Sequence, residues 1–502
     1  MFSYGVFPPL MFGTMICFMV FGFPVAFSLA AVGLFFGILG IFSGHFDPSF
    51  LQALPFRFYG TISNDLLLSI PFFTFMGAIL ERCGLAEDLL EGTGKLFGAI
   101  PGGLAYAVIL VGAILGAITG TVAASVITMG VISLPIMLKY GYSPRLATGV
   151  IAASGTITQV IPPSLVLIVL ADQLGRSVGD MYLGAIGPSI LQVVIFLLYI
   201  LFLSIVRPKD VPPLPPEARG EMNMALVVRV LWGMVPSIVL IFLVLGTIFM
   251  GLATPTEAGA LGVVGAMALA ALHRRLTWDL VRQGMHSTMT ITSMVVFILV
   301  GATCFSLVFQ GMDGGLWIEY LLKHVPGGVV GFLIFVNIFI FFLAFFLDFF
   351  EIAFIVLPML APVASSLGID LIWFGVLLCV NMQTSFMHPP FGFALFYLRS
   401  IAPKTVKTKD IYLGAIPWLF MQLILVGIII FWPESVTYWI DKAPDVDLST
   451  IKIEVPGFGN GGGNQMPNFG LPPMDGAPAQ PGQPAPGLPG MPNFGEPPKI
   501  NP

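Results

Sequence analysis

Long apolar stretches, each about the length of a membrane crossing, alternate with short polar connections along most of the chain. A helix needs about 20 apolar residues to cross a bilayer. The pattern predicts ten such helices, near 7–22, 24–42, 66–82, 144–173, 186–206, 226–250, 253–272, 288–309, 371–399 and 411–432. The segment 7–42 is open to a second interpretation, because one kinked span would also fit it.

Two further apolar segments are expected to turn back inside the membrane. The segment 101–139 lies between Lys95 and Lys139, and short loops rich in Lys and Arg stay on the cytoplasmic side. It therefore enters and leaves on one side, as a re-entrant helical hairpin. The segment 328–366 occupies the corresponding place in the second half of the chain.

The composition agrees with a polytopic membrane protein. Of 502 residues, 57% are hydrophobic and 9% are charged, and the mean hydropathy is +0.96. A soluble domain carries roughly 25% charged residues, so that class is excluded. The four cysteines form no CxxC pair, so disulfide or metal use is not expected. The first basic residue is Arg57, and without a positive n-region we expect Met1 to begin a mature span.

One heptapeptide occurs twice. DMYLGAI fills 180–186 and DIYLGAI fills 410–416, which is an offset of 230 residues. Four more matches follow the same order at offsets of 223 to 231: Pro24 with Pro255, Gly77 with Gly301, Pro135 with Pro358, and Pro162-Pro163 with Pro389-Pro390. Such internal repeats are common in transporters. We therefore predict two repeats, 1–207 and 224–440, joined by a linker at 208–223.

The charges of the loops predict that the second repeat is inverted. Basic clusters occur at 139–145, 207–209, 274–282 and 399–409, and these are expected to be cytoplasmic, with the linker. Five crossings in each repeat then turn the second repeat upside down and place both termini in the periplasm. The tail 441–502 is rich in Gly and Pro and is predicted to be disordered there. It is either a passive extension or a tether for a partner.

Each repeat contains two predicted interruptions at membrane depth. The hairpin tips are 117–125 and 346–351, and the interrupted spans are 153–164 and 380–390. Tip and break are 42 residues apart in one half (Gly120 to Pro162) and 41 in the other (Asp348 to Pro389). A single Pro-Pro pair is more often a plain kink, and membrane Ser and Thr usually bond to their own backbone. The coincidence in both halves favours a functional site near the midplane.

The chemistry of such breaks suits an anion and a cation. Proline suits a helix start, so each Pro-Pro pair is predicted to open a half-helix whose positive end attracts a carboxylate. Freed carbonyls, hydroxyls and Asp348 are hard oxygen ligands of the kind that Na+ takes. Glu257 is interpreted as a helix cap or a ligand, Glu351 as a cap, and His388 as a substrate contact or a structural hydrogen bond.

These residues resemble the large membrane subunit of TRAP (tripartite ATP-independent periplasmic) transporters. The resemblance covers about 1–440 and rests on GAITGTVAAS (116–125), LPIMLKYGYSPRLATGVIAASGTITQVIPPS (134–164), LATPTEAGALG (252–262) and the second-half run from FLDFFE (346–351) to HPPFGFALF (388–396). It implies an all-α ion-transporter-superfamily fold with an elevator mechanism, in the bacterial inner membrane. It also implies Na+-driven uptake of an organic acid, with a small four-helix membrane subunit and a periplasmic substrate-binding protein as partners.

The resemblance also implies site residues. The ion-binding (Na+) positions that match are Thr119, Gly120, Thr121, Ser154, Gly155, Thr156, Asp348, Asn381, Thr384 and Ser385. Candidate substrate contacts beside them are Ser125, Pro163, Ser164, Gln383, His388 and Pro390. No catalytic residue, no cofactor besides Na+ and no nucleic-acid partner are expected, and the small subunit is expected to be a separate chain.

Three departures from the commoner family pattern bear on the substrate. They are TGTVAAS at the first tip, LDFFE at the second tip and MHPPFG at the second break. Sialic acid or a C4-dicarboxylate should therefore not be assumed, and the aromatic tip favours a 2-oxo acid or another monocarboxylate. The alternatives are a stand-alone Na+-coupled carboxylate permease, a membrane enzyme using Asp348 and Glu351, and a passive channel. An inverted repeat favours alternating access over the last two.

Overall fold

The computed structural model describes residues 5–218, 224–345, 347–390 and 392–440, and the helices are the only regular elements in these ranges. The predicted tail 441–502 lies outside the described residues, so its disorder and its side of the membrane stay predictions.

The first half begins with two helices where the apolar pattern was ambiguous. Gly22, in the left-handed region, and Pro24 separate them, so 7–42 is not one kinked span. The helices of this half are α1 (Phe7–Val20), α2 (Val25–Phe42), α3 (Leu54–Ile62), α4 (Ser69–Arg82), α5 (Leu85–Phe97), α6 (Gly103–Thr119), α7 (Val122–Lys139), α8 (Pro144–Thr156), α9 (Leu165–Leu174) and α10 (Val178–Val206).

The second half repeats this order. Its helices are α11 (Met224–Phe249), α12 (Pro255–Leu272), α13 (Trp278–Gly311), α14 (Gly314–Lys323), α15 (Gly328–Leu343), α16 (Phe349–Glu351), α17 (Leu357–Ser366), α18 (Leu371–Met382), α19 (Phe393–Ile401), α20 (Thr408–Phe431) and α21 (Glu434–Thr437). A π-helical turn, Ile352–Val356, joins α16 to α17 in one continuous run. The predicted all-α fold, with hairpins α6–α7 and α15–α17 and discontinuous helices α8–α9 and α18–α19, is confirmed.

Several predicted boundaries were wrong, each for a local reason. Helix α13 begins ten residues before the predicted 288, because Thr277 caps it and its first turns are polar. Helix α10 begins at Val178, where Ser177 accepts a hydrogen bond from the Asp180 N–H. The helices α3, α5 and α14 were not predicted, because each is short and its apolar residues occupy only one face.

Helices α5 and α14 occupy equivalent places, each directly before a hairpin. Both carry an ion pair one turn apart: Glu91 with Lys95 at 2.5 Å, and Glu319 with Lys323 at 2.6 Å. Such pairs are typical of a helix face in water or at a membrane surface. The repeat therefore includes these amphipathic helices, although their sequences show no clear match.

The helices pack in two sets. Helices α1, α2, α4, α11, α12 and α13 contact one another, and the hairpins pack with α8, α9, α10, α18, α19 and α20. Among the described residues, seven helices are long and apolar enough to cross a membrane: α2, α7, α10, α12, α13, the run 349–366 and α20. Large aromatic side chains are exposed on the outer faces of these helices and of α11, for example Phe35, Phe242 and Phe431. Such exposure is expected where the surroundings are lipid and not water. The protein is a multi-pass membrane protein.

The inverted arrangement predicts which hairpin base faces which side. In a variant without native cysteines, we expect Ile100→Cys and Lys209→Cys to react with a membrane-impermeant maleimide only from the cytoplasmic side. His324→Cys should react only from the periplasm, because it lies at the base of the second hairpin. Val239→Cys, exposed on α11, should face lipid and stay unlabelled from both sides. Labelling of positions 100 and 324 from the same side would contradict the inversion.

Candidate functional site

The first break separates α8 from α9. After Thr156 the chain forms a 3-10 turn, Ile157–Gln159, and passes Pro162 and Pro163 before α9 begins at Leu165. Ser164 closes the gap, because its hydroxyl donates to the Gln159 carbonyl at 2.5 Å and accepts from the Val166 N–H at 3.1 Å. The break is thus held by its own side chains.

The second break separates α18 from α19. A 3-10 turn, Gln383–Phe386, follows Met382, and α19 begins at Phe393. The hydroxyls of Thr384 and Ser385 donate to the carbonyls of Asn381 and Met382, each at 2.6 Å. Gly392 precedes α19 and offers no side-chain cap. The two breaks therefore have the same order of elements, but only the first has a side-chain cap on the helix that follows it.

The Pro-Pro pairs do not open the half-helices as predicted. Both lie in the non-helical connection, and the helices start two residues after Pro163 and three residues after Pro390. Ser164 and Gly392 are the residues that precede the free N–H groups. The preference of proline for the first helical position therefore does not determine where α9 and α19 begin.

The first hairpin packs on the first break through glycines. A Cβ on Gly116 would lie 3.0 Å from Thr158 Cα, and a Cβ on Gly112 would lie 2.6 Å from Ser154 Cβ. At the tip, Gly120 ends α6 in the left-handed region, and Thr121 precedes α7. Only glycine allows helix α6 to approach the break this closely.

The second hairpin reaches the second break through side chains. Asn381 donates to the carbonyl of Asn337 on α15 at 2.8 Å. At the tip, Asp348 and Glu351 form a capping box, in which each carboxylate accepts from the other residue's N–H, at 3.1 and 3.0 Å. The predicted capping role of Glu351 is present, and Asp348 is itself a helix cap.

The two breaks lie against each other. Cys379 Sγ on α18 donates to the Gln159 carbonyl at 3.3 Å, and Thr156 Oγ1 is 3.3 Å from Met387 Sδ. Helix α9 also packs against α18 and against the run 349–366 of the second hairpin. The predicted convergence of both breaks with the second hairpin is therefore present in the structure.

The interior of this region is rich in oxygen acceptors. Ser154, Thr156 and Thr158 each donate their hydroxyl to a backbone carbonyl three residues back, at 2.9 Å. Such a hydroxyl has used its donor and keeps a lone pair. The buried oxygens Asn337 Oδ1 and Asn381 Oδ1 have no hydrogen-bond partner among the described residues. Uncharged oxygens of this kind suit an alkali cation better than a transition metal.

His388 lies in an aromatic corner of the second break. Its ring stacks on Phe345 with centroids 3.8 Å apart and meets the edge of Phe341 at 5.3 Å. The side chain is 2% exposed, and neither ring nitrogen makes a hydrogen bond of normal geometry to a described residue, although the backbone of Phe341 lies beside the ring. The substrate contact and the structural hydrogen bond therefore both stay predictions.

Most predicted site residues lie in or beside this region. Gly155 packs on Val126 of α7, Ser125 Oγ is buried with no partner in the part of the chain that the structure describes, and Pro390 is exposed. The side chain of Thr119 lies outside the described part of the chain. Glu257 is not part of this region: it is exposed and forms a capping box with Thr254 at the start of α12, so the cap interpretation holds.

Two glutamines of the site were missed. Gln192 and Gln422 are both buried and both bond to Gln383, whose amide is thus already engaged by protein. A signal was available, since each glutamine lies 12 residues after the aspartate of the repeated heptapeptide, from 180 and from 410. The apolar pattern treated both as ordinary positions of a span.

The described residues contain no group of three or more His, Cys, Asp and Glu side chains that could hold a metal ion. Ionised side chains are also few here, so an anion would meet helix ends and aromatic edges rather than a cluster of bases.

Known proteins share both the sequence and the fold. The family model described as "Tripartite ATP-independent periplasmic transporter, DctM component" matches residues 12–435. The C4-dicarboxylate TRAP transporter large permease protein DctM of Pseudomonas aeruginosa is 28% identical over 389 residues, 77% of this chain and 89% of that one. The sialic acid TRAP transporter large permease protein SiaM of Vibrio cholerae is 27% identical, over 82% of this chain and 93% of that one.

A solved structure supports the fold. The YdaH transporter of Alcanivorax borkumensis superposes with a TM-score of 0.57 at 14% identity, covering 84% of this chain and 98% of that chain. Its likeness concerns the fold alone. Because the family model spans most of the sequence, including both breaks and both hairpins, the chain belongs to the DctM family, the large permease subunits of TRAP transporters.

Proposed function

We propose that this subunit carries out Na+-coupled uptake of an organic carboxylate that a periplasmic substrate-binding protein delivers. The observation that carries the proposal is the meeting of two repeat-related helix breaks in a buried, oxygen-rich region against the second hairpin. Discontinuous helices place ion and substrate sites near the midplane in many secondary transporters. The first ion site consists of Thr119 to Thr121 and Ser154 to Thr156. The second consists of Asp348 and of Asn381 to Ser385.

The sequence of the tips and breaks points to one carboxylate with an apolar part. The segments 117–125, 153–164, 346–351 and 380–390 contain no Lys or Arg. A second carboxylate would lack a cationic partner there, whereas one carboxylate can bind at the N–H groups of a helix start. The rings of Phe341 and Phe345 beside His388 suit an apolar group. A monocarboxylate, such as a 2-oxo acid, therefore fits better than a dicarboxylate.

The mechanism follows from the two sets of helices. The hairpins, the broken helices, α10 and α20 form the body that moves, and α1, α2, α4 and α11–α13 form the scaffold. An elevator-like shift of the first set would carry the site from the periplasmic to the cytoplasmic side. Family membership supports a bacterial inner-membrane location, with a small membrane subunit and a periplasmic binding protein as partners. The charges of the loops support both termini in the periplasm.

Reconstitution tests this function directly. Proteoliposomes with the large and small subunits should accumulate a labelled 2-oxo or hydroxy acid only when an inward Na+ gradient and the cognate binding protein are both present. A K+ gradient and a non-cognate binding protein are the controls. Uptake with Na+ but without a binding protein would instead favour the stand-alone permease, and uptake without Na+ would remove the coupling.

The charge of Asp348 can be tested without removing its cap. Asparagine caps helices as well as aspartate does, so Asp348→Asn should leave the melting temperature nearly unchanged. It should raise the Na+ concentration for half-maximal uptake about tenfold, since a charged ligand is lost.

Asp47→Asn is the matched control, because Asp47 also caps a helical turn. The Ser49 N–H and hydroxyl hold the pKa of the Asp47 carboxyl below its usual range, so this group is ionised at neutral pH. Its substitution should not change the Na+ dependence. An unchanged Na+ dependence in Asp348→Asn as well would exclude Asp348 as an ion ligand.

His388 is expected to bind the substrate. His388→Phe keeps a ring against Phe345 but removes both nitrogens, so KM for the carboxylate should rise about tenfold for a lost buried hydrogen bond, with the Na+ dependence unchanged. His324→Phe is the control, because His324 also contacts an aromatic ring, Tyr320, but is exposed at the end of α14. An unchanged KM in His388→Phe would show a structural role.

A further inference from the structure

Two buried glutamines are equivalent by the repeat and meet at the same place. Gln192 on α10 and Gln422 on α20 differ by 230 positions, the offset of the repeated heptapeptide. Their partners are related as well, since Thr156 and Gln383 differ by 227 positions, the offset of the two Pro-Pro pairs. The four side chains are at most 1% exposed.

Hydrogen bonds join these four residues into one network. Gln192 and Gln383 exchange reciprocal amide bonds at 2.5 and 3.2 Å. Gln422 Nε2 donates to Gln383 Oε1 at 3.3 Å and to Thr156 Oγ1 at 3.1 Å. The pairs Gln192–Gln383 and Gln422–Thr156 are therefore counterparts, and the Gln422–Gln383 bond links them.

The side chain of each glutamine bonds to a residue of the other repeat. Gln192 belongs to the last crossing helix of the first repeat and holds the break of the second. Gln422 belongs to the last crossing helix of the second repeat and bonds to the break of the first, as well as to Gln383. The network therefore spans α8, α10, α20 and the second break.

The repeated heptapeptide supports the same crossover. A Cβ on Gly414 would overlap the Arg145 carbonyl and lie 3.0 Å from Thr148 Oγ1, both on α8. A Cβ on its counterpart Gly184 would lie 3.1 Å from Ile372 Cγ2 on α18. Each glycine thus lets a last crossing helix approach the broken helix of the other repeat, which aligns the glutamines two turns further on.

Simple packing does not account for this network. Apolar side chains would fill the same space, and buried amides inside a membrane are unfavourable unless they bond. The hydrogen bonds have a consequence that apolar contacts lack, because they fix the distance between the end of α8 at Thr156 and the 3-10 turn of the second break at Gln383.

We propose that Gln192 and Gln422 are positioning residues that hold the two breaks as one rigid unit. This inference rests on the proposed function for its consequence: the ion sites of the two repeats would form together, so that Na+ binding at one break prepares the other. In this proposal each glutamine acts through Thr156 or Gln383 and not as an ion ligand.

Hydrogen exchange of the full-length protein in lipid nanodiscs tests the positioning independently of transport. Gln192→Met and Gln422→Met preserve side-chain length and remove the bonds. Gln192→Met should speed exchange at 383–388 roughly three- to tenfold, as expected for one or two lost interhelical bonds, and leave 157–164 unchanged. Gln422→Met should speed exchange at both segments. Gln283→Met, on the exposed start of α13, should change neither.

Transport provides the second measurement. Both methionine variants should lower the Hill coefficient for Na+ and raise its half-saturating concentration several-fold, and the double variant should resemble the stronger single variant, because the residues act as one unit. The proposal would be overturned if exchange at these segments were unchanged. It would also be overturned if Gln192→Met made exchange faster first at 157–164, in its own repeat. If wild-type uptake shows no Na+ dependence, the proposed function fails, while the exchange pattern still decides whether the glutamines hold the breaks.

Discussion

A helix that stops inside a bilayer leaves several N–H and C=O groups without partners, and each costs several kcal/mol in contact with lipid. This constraint governs the arrangement of the chain. Both breaks must lie inside protein, so each is enclosed by a hairpin and by the last crossing helix of the opposite repeat. The consequence is visible in α8 and the 3-10 turn after it, where every residue from 146 to 160 is buried.

The way in which the breaks satisfy their backbone also determines what they can bind. Hydroxyl donors such as Thr384 are consumed by nearby carbonyls, which leaves a surplus of acceptors for a cation. The donors are distributed unequally. Ser164 caps α9, whereas α19 starts after Gly392 without a side-chain cap, so its N–H groups are more available to an anion. His388 lies in that same break, buried against Phe345. These features favour the second repeat as the place where the proposed carboxylate binds.

Much of this architecture could be predicted from the sequence, because long apolar runs, paired prolines and a repeated heptapeptide survive as patterns. The hairpin 328–366 was predicted with its observed ends. The predictions that failed concerned features that depend on local side-chain contacts or on the packing of distant segments. Helix α14 is too short for its period to stand out, and the starts of α9 and α19 depend on Ser164 and Gly392 rather than on proline. The partners of Gln383 could not be predicted, since a residue's neighbours across two repeats require the packing itself.

The two repeats have the same residue at some positions and different residues at others. The matching positions and the differing positions lie in different parts of the structure. The heptapeptide, with Gly184 and Gly414, and the glutamines Gln192 and Gln422 match across the halves. These are the places where helices of one repeat contact the other, and an error in either copy would misalign both breaks. The tips do not match: the first has Gly120 between two threonines, and the second has a carboxylate among aromatic rings. Symmetry is thus kept where helices of one repeat contact the other and lost at the tips, where we propose that Na+ and the carboxylate bind.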